Sequence, residues 1–587
     1  MPRFGARLLL AAAIASFALA VALFWGVDFS WRLGPLRLRM TEPIRPLAVA
    51  VLFAAAAMRP AWSRAYAVVL LAACGAVALI AYARTADAAF APAGDIALIE
   101  AYTIHAANGE LLLGPYSRYG WNHPGPLYFY LQAPFYVMSG YRSAGLSAGA
   151  LTINLSALGI LVWVCLRAAP QGFLPIGITA ASVLFAARAI DMLASQWNPH
   201  VLVLPTMAIV VVAAALAAGR TRLLPLLAAL ASFVVQTHLG LGPAVLAVSG
   251  AATAILAARS YIFRPEQGAT RWWPVLNGTL WLLAVLWMMP LAQELSEPAG
   301  NLTQLWMFFG SGEARPGQPW RTSFRIWADM ISAMVRSDVH VGWGNRYGPK
   351  PNPWSQGWAI AETAAVVVIA VRAVLARDSF RAALATMTLV ASGVGLWSIV
   401  QIDDDIYDHL VFWLVGIGAL QVGLIADALV GLVPRAVRVL TPRLTASMCV
   451  LLLGIAAAEG FRDLRVIVSR SFRPGIEQLS ARRLADAITP AFADNRVKRP
   501  LVTIDQPVWG IAAGVLLQLQ KRHIPFSVEE GWWFMFGPPA RPAGNHADDD
   551  RLIFAGPELR IRLNSSSGVE VLAERDRTSI LLERPQP

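Results

Sequence analysis

The sequence predicts a polytopic α-helical membrane protein of about 13 transmembrane helices with a small C-terminal α/β extracytoplasmic domain. Three observations carry that prediction. Of 587 residues, 57% are hydrophobic and 14% charged, with a mean hydropathy of +0.54; an average globular chain carries roughly 25% charge. The apolar residues gather into runs near the roughly 20 residues needed to cross hydrocarbon. Arginines fall mostly at the ends of those runs, and a less apolar stretch closes the chain.

The expected spans lie near 7–26, 44–58, 64–84, 144–166, 171–187, 199–218, 223–238, 241–258, 272–290, 358–376, 382–400, 410–432 and 444–460. The first begins like a signal peptide, but its apolar run is about 18 residues, longer than a usual signal core. It reads as a retained helix. Residues 124–142 open on Pro124-Gly125-Pro126 and are interrupted by Tyr128, Tyr130, Gln132 and Tyr136. That pattern predicts a helix lying in the interface rather than a span.

The net charge of +12 follows the positive-inside rule rather than indicating nucleic acid. With the N-terminus cytoplasmic, inner loops carry Arg59 and Arg64, Arg167, Arg220 and Arg222, Arg259, Arg264 and Arg271, Arg377 and Arg381, and Arg435, Arg438 and Arg443. Outer loops are then 85–143, 188–198, 291–357 and 401–409. The loop 27–43, with Arg32, Arg37 and Arg39, runs against the rule. Cys74, Cys165 and Cys449 sit inside apolar segments with no metal or disulfide spacing.

Residues 1–460 are thus the expected transmembrane domain and 461–587 a soluble α/β domain. From Phe461 onward there are 18 Arg and Lys against 15 Asp and Glu, net +3, so it is no electrostatic clamp. RPLVTID reads as a strand ending in Asp505, GIAAGVLLQLQKRH as a helix, and PFSVEE, RLIFAG, RIRL, VEVLAE and SILLER as further strands.

Chemistry concentrates between Gly94 and Tyr130. Asp95 and Glu100 open the stretch, five apart on an expected helix start, and Arg118, Trp121, Asn122 and His123 follow the Gly114-Pro115 turn. Ionisable groups beside hydrocarbon are costly unless they face water or a ligand. A carboxylate against an apolar wall suits a general base. Arginine and histidine suit phosphate oxygens, so Arg118 and His123 are candidate phosphate ligands; a salt bridge from Arg118 to Asp95 or Glu100 is equally compatible. The bland alternative is a structured loop with ordinary surface charges.

Gln196-Trp197-Asn198-Pro199-His200 repeats the flavour of Trp121-Asn122-His123-Pro124, a combination suited to stacking and hydrogen-bonding a sugar, or to an aromatic belt. His238 ends another span. The candidate substrate-binding set is Tyr116, Trp121, Asn122, Trp197, Asn198, His200, His238 and His409. Asp403, Asp404, Asp405, Asp408 and His409 could hold a divalent cation or form a solvated loop; no metal ligand or cofactor is assigned. The aromatic, Gly- and Pro-rich loop 291–357 reads as a lid.

These features together resemble the GT-C superfamily of polytopic glycosyltransferases, in the branch of the protein O-mannosyltransferases and the lipid A aminoarabinose transferase (family 39-like). His123-Pro124-Gly125-Pro126-Leu127-Tyr128 looks like that branch's His-Pro-Pro-Leu-Tyr motif. The architecture matches from about 64 to 460, the motifs only within 94–130. Two departures stand out: Ile96 follows Asp95 where the family often has Glu, which leaves Glu100 as the second acid, and two extra helices precede the catalytic loop where the family usually has one. The resemblance implies Asp95 as catalytic carboxylate, Glu100 assisting, and a sugar moved with inversion from a polyprenyl-phosphate donor to a glycan, lipid or protein acceptor on the extracytoplasmic face.

Arginine outnumbers lysine 45 to 3, a compositional hint of a GC-rich bacterial source, so the expected location is the bacterial inner membrane. An O-antigen ligase or polymerase would rest on a late arginine-rich loop, and 291–357 holds Arg315, Arg321, Arg325, Arg336 and Arg346. A lipid or glycan transporter would want ionisable residues in mid-span and internal repeats; few ionisable residues fall inside the apolar runs.

Overall fold

The computed structural model describes residues 3–24, 29–33, 36–40, 46, 49–50, 53, 91–262, 272–310, 317–336, 344–347, 353–432, 440–469, 475–542, 550–563 and 568–584. The expected span 64–84, most of 44–58, Cys74, Arg315 and several loop arginines, among them Arg59, Arg64, Arg264, Arg271, Arg435 and Arg438, lie outside the described residues. The chain clusters into two compact units, one formed by 1–81, 150–287 and 312–466 and the other by 82–149, 288–311 and 467–587.

The first unit is helical. It opens on α1 (Arg3–Phe24) and a two-stranded antiparallel hairpin, β1 (Phe29–Leu33) with β2 (Leu36–Met40). The second unit contributes the next two helices, α2 (Gly94–Ala107) and α3 (Leu127–Met138). The spans then follow: α4 (Ala144–Ala168), α5 (Leu174–Arg188), α6 (Val203–Ala217), α7 (Leu224–Thr237), α8 (Gly242–Ile262) and α9 (Trp272–Ser296). After α10 (Asn301–Gly310) and α11 (Trp320–Ile331) come α12 (Pro353–Leu375), α13 (Ser379–Val400), α14 (Trp413–Val430) and α15 (Pro442–Ser469).

Among the described residues seven helices are long and apolar enough to cross a membrane, and four shorter apolar helices accompany them. Together these eleven fall on eleven of the expected runs. Helix α6 is apolar and buried on every side, which marks the centre of the unit; α8 and α13 pack against it, and α14 packs along α5. Charge inside this unit is paired where α13 meets α14: Arg381 Nε lies 2.7 Å from the buried Asp427 carboxylate, and Arg381 also bonds Asp378, the cap of α13.

The second unit holds an α/β sandwich completed by helices from far earlier in the chain. Its C-terminal part runs α16 (Ile476–Ala493), β3 (Leu501–Ile504), α17 (Trp509–Lys521), β4 (Ser527–Val528), α18 (Trp533–Phe536), β5 (Arg551–Ala555), α19 (Pro557–Leu563), β6 (Val569–Arg575) and β7 (Thr578–Glu583). The five strands are ordered β4-β3-β5-β7-β6; β3 is parallel to β4 and β5, and β7 is antiparallel to β5 and β6. Strand periodicity sends Val502, Ile504, Leu552, Phe554 and Ile580 to the face covered by α16 and α17. Ile553, Ala555 and Leu581 go to the other, under Leu559 and Leu563 of α19.

The run RIRL, expected as a strand, belongs to α19. Pro557 and Glu558 in its first turn with Arg560 and Arg562 in its last suit a helix start and the helix dipole, and they outweigh the Leu-Ile-Leu alternation.

Helices α2, α16 and α17 run parallel. Ala97 and Leu98 meet Ala513 and Leu517, Glu100 meets Lys521 and His105 meets Gln520, while Arg522 bonds Asp486 and Thr489 of α16. Gly514 is required by the closeness of that packing, since a Cβ there would stand 2.6 Å from the Pro92 carbonyl oxygen. Helix α3 is twelve residues long with Pro134 inside it. It is too short to span a bilayer; Tyr128, Phe129, Gln132 and Tyr136 are buried while Leu131, Val137 and Met138 are exposed.

Candidate active site

Helix α2 starts at Gly94, whose φ of +57° favours glycine, with no side chain capping its first turn. The half-buried Asp95 therefore sits in the first turn of the helix, where the partial positive charge of the helix start favours an anion. The Tyr116 hydroxyl donates to Asp95 Oδ1. Burial, and next the charge of Asp95, push the Tyr116 phenol far above its usual range. It stays a donor.

Tyr116 is held by a small hairpin. Tyr116 and Asn122 form an antiparallel bridge, Ser117 N–H donates to Trp121 O at 2.8 Å and His123 N–H to Pro115 O at 2.8 Å. Arg118 stands at the exposed tip, its guanidinium over the Tyr119 ring and 3.0 Å from the Tyr119 hydroxyl. His123 lies buried at the base, 5.4 Å from the Trp121 ring. The register thus separates these two expected phosphate ligands along the hairpin.

Glu100 points elsewhere. It is 0% exposed, and its Oε1 accepts from Lys521 Nζ at 2.6 Å and from the Tyr136 hydroxyl at 2.7 Å. Burial, then the Glu100 charge, hold the Tyr136 proton on well above the usual phenol range. Asp95 and Glu100 do not form an adjacent pair of acids: five residues on a helix turn them to different sides.

Asn122 and Trp121, expected at a substrate surface, are packed. The Asn122 side-chain amide donates to Tyr102 Oη (3.1 Å), Gly114 O (3.2 Å) and Phe534 O (3.4 Å). Its backbone exchanges two bonds with the Asn301 side chain, at 2.9 and 2.8 Å. Trp121, 7% exposed, lies among Tyr119, Phe308 and Phe309, and its indole N–H has no hydrogen-bond partner among the described residues.

The remaining expected residues belong to the first unit. The Trp197 ring lies 5.1 Å from His200 and 4.8 Å from His409. His200 is buried, with Nδ1 2.8 Å from Ser195 Oγ. Asn198 donates to Thr237 O at 3.4 Å, beside His238 at the end of α7. Residues 344–347 bridge this group to the acidic loop: Gly344 N–H donates to Asp408 Oδ1 at 2.8 Å and Arg346 pairs with Asp405. Among the described residues no three His, Cys, Asp or Glu side chains gather as a metal site.

Sequence reasoning missed Tyr102, Tyr136, Lys521, Phe534 and Asn301.

Fold and site together define a polytopic helical membrane protein with a carboxylate–phenol pair at the start of a short helix. No protein-family model matches the sequence, nor does any curated protein. Among solved structures, the chain is similar to ArnT from Cupriavidus metallidurans bound to undecaprenyl phosphate, with a TM-score of 0.49, 13% identity, and 88% of this chain and 99% of that chain covered. The apo state of ArnT gives a TM-score of 0.45 at the same identity and coverage.

Proposed function

We propose that the protein is an integral membrane glycosyltransferase. It moves a sugar from a polyprenyl-phosphate donor to a hydroxyl of an envelope glycan, lipid or protein on the extracytoplasmic face. The observation that carries this reading is the Asp95–Tyr116 pair: a half-buried carboxylate at a helix start, oriented by a phenol that keeps its proton. Asp95 takes the proton of the acceptor hydroxyl as that oxygen bonds the anomeric carbon. The anomeric carbon–phosphate oxygen bond breaks with inversion, and polyprenyl phosphate leaves with the bonding pair.

Arg118, exposed beside Tyr119, is suited to steer the anionic donor, and His123 to line the hairpin base. Trp197, Asn198, His200, His238 and His409 are a candidate sugar-recognition group. Purified protein should transfer label from at least one polyprenyl-phosphate sugar, and Asp95→Asn should abolish transfer while melting like wild type. Equal transfer by that variant removes Asp95 from the reaction.

One observation favours a transporter instead. Glu362 on the spanning helix α12 is 4% exposed, and neither of its oxygens has a hydrogen-bond partner among the described residues; buried intramembrane carboxylates often serve transport. Substrate flux in vesicles that is lost on Glu362→Gln and kept on Asp95→Asn would select that reading.

A further inference from the structure

Lysine is rare in this chain: Lys350, Lys498 and Lys521 stand against 45 arginines. One of the three makes an ion pair across 421 residues of sequence, the half-buried Lys521 Nζ to the wholly buried Glu100 Oε1 at 2.6 Å. We propose that this pair is a positioning device through which the C-terminal segment sets the place of Asp95. The inference rests on the proposed role of Asp95.

Glu100 cannot itself meet a substrate, because it is wholly buried with α3 on one side and α17 on the other. A buried carboxylate is tolerated when paired and hydrogen-bonded. Here Tyr136 supplies the hydrogen bond and Lys521 the charge. The ammonium also lies 5.9 Å from the centre of the Tyr136 ring. A compact ammonium fits between a carboxylate and a ring where a planar guanidinium fork would need more room. The pair thereby locks three elements, α2, α3 and α17, at one point.

Asp95 rides on the same helix, five residues toward its start. The contacts that fix α2 against α17 run its whole length: Gly94 beside Trp509, Ala97 and Leu98 against Ala513 and Leu517, Glu100 on Lys521, His105 on Gln520. Tyr116, which orients Asp95, packs edge-on against Phe534 of α18 at 6.1 Å between ring centres. Asp95 and its orienting phenol are both referenced to the C-terminal segment. Without Lys521 an unpaired charge stays buried and α2 must shift or open to hydrate it. A displacement of about 1 Å at a reacting group costs on the order of 100-fold in rate.

The test uses the full-length protein with three variants, Lys521→Met, Glu100→Gln and the double variant, and two readings. Amide hydrogen exchange of 94–107 and 509–521 needs no substrate. Lys521→Met should speed it about tenfold, as expected if local opening becomes cheaper. The double variant, with no charge left to hydrate, should regain protection. In turnover, Lys521→Met should lower kcat on the order of 100-fold with donor KM little changed, and the double variant should recover most of it. Unchanged exchange in Lys521→Met overturns the proposal. So does a double variant that is protected yet as inactive as Glu100→Gln alone, since that assigns Glu100 a direct role. If exchange behaves as stated and wild type turns over no sugar donor, the pair stands as the anchor of α2 and the transferase reading falls.

Discussion

Tyr116 and Asp95 illustrate how one hydrogen bond can define a site. A hydrogen bond to a charged group is worth about 1.5–3 kcal/mol, so Tyr116→Phe should lower kcat roughly 10- to 100-fold if Asp95 must be oriented, with folding judged intact by thermal melting. The same phenol gives a pH signature. Its pKa is raised from the ordinary 10, first by burial and then by Asp95, so the folded protein keeps a proton that the unfolded chain releases. The stabilisation it contributes is complete below pH 10 and is lost as pH rises above it. Melting temperature should fall in that alkaline range, and less steeply in Tyr116→Phe. At this scale the two acids were legible because carboxylates beside hydrocarbon stand out. Their separate fates were not. Glu100 is neutralised by a lysine 421 residues away, and no local spacing announces that partner.

Asn122 and Asn301 hold whole elements in register. The first ends the hairpin that carries Tyr116, the second begins α10, and their reciprocal bonds join the two at buried positions. Asn301→Ala strands a buried backbone N–H and C=O of Asn122, an expected loss of about 1–3 kcal/mol, read as a lower melting temperature in detergent. A variant that melts like wild type would show that water replaces the amide. Apolar periodicity revealed α4 through α9 and α12 through α15, because spanning helices need long apolar runs. It failed at α19, where alternation in a seven-residue segment imitates a strand while Pro557 and Glu558 start a helix.

For the molecule as a whole, composition settled the membrane class, and local pattern found β3 through β7. What it could not supply was their association: 467–587 cluster with 82–149 and 288–311 rather than standing apart. Such packing rests on contacts between residues hundreds of positions apart. Removing 467–587 would expose Ala97, Leu98 and the Glu100 carboxylate, all buried in the intact unit, so the truncated chain should lose protection across α2 and all turnover. A truncation that keeps full activity would make the C-terminal segment dispensable.

Sugar transfer with Asp95 as base is measured as label transfer by purified protein. A panel of radiolabelled polyprenyl-phosphate sugars serves as donor and envelope extract as acceptor, with wild type and Asp95→Asn side by side. Transfer by wild type from at least one donor, abolished in a variant of unchanged melting temperature, is the predicted result. No transfer from any donor, or equal transfer by Asp95→Asn, would contradict it.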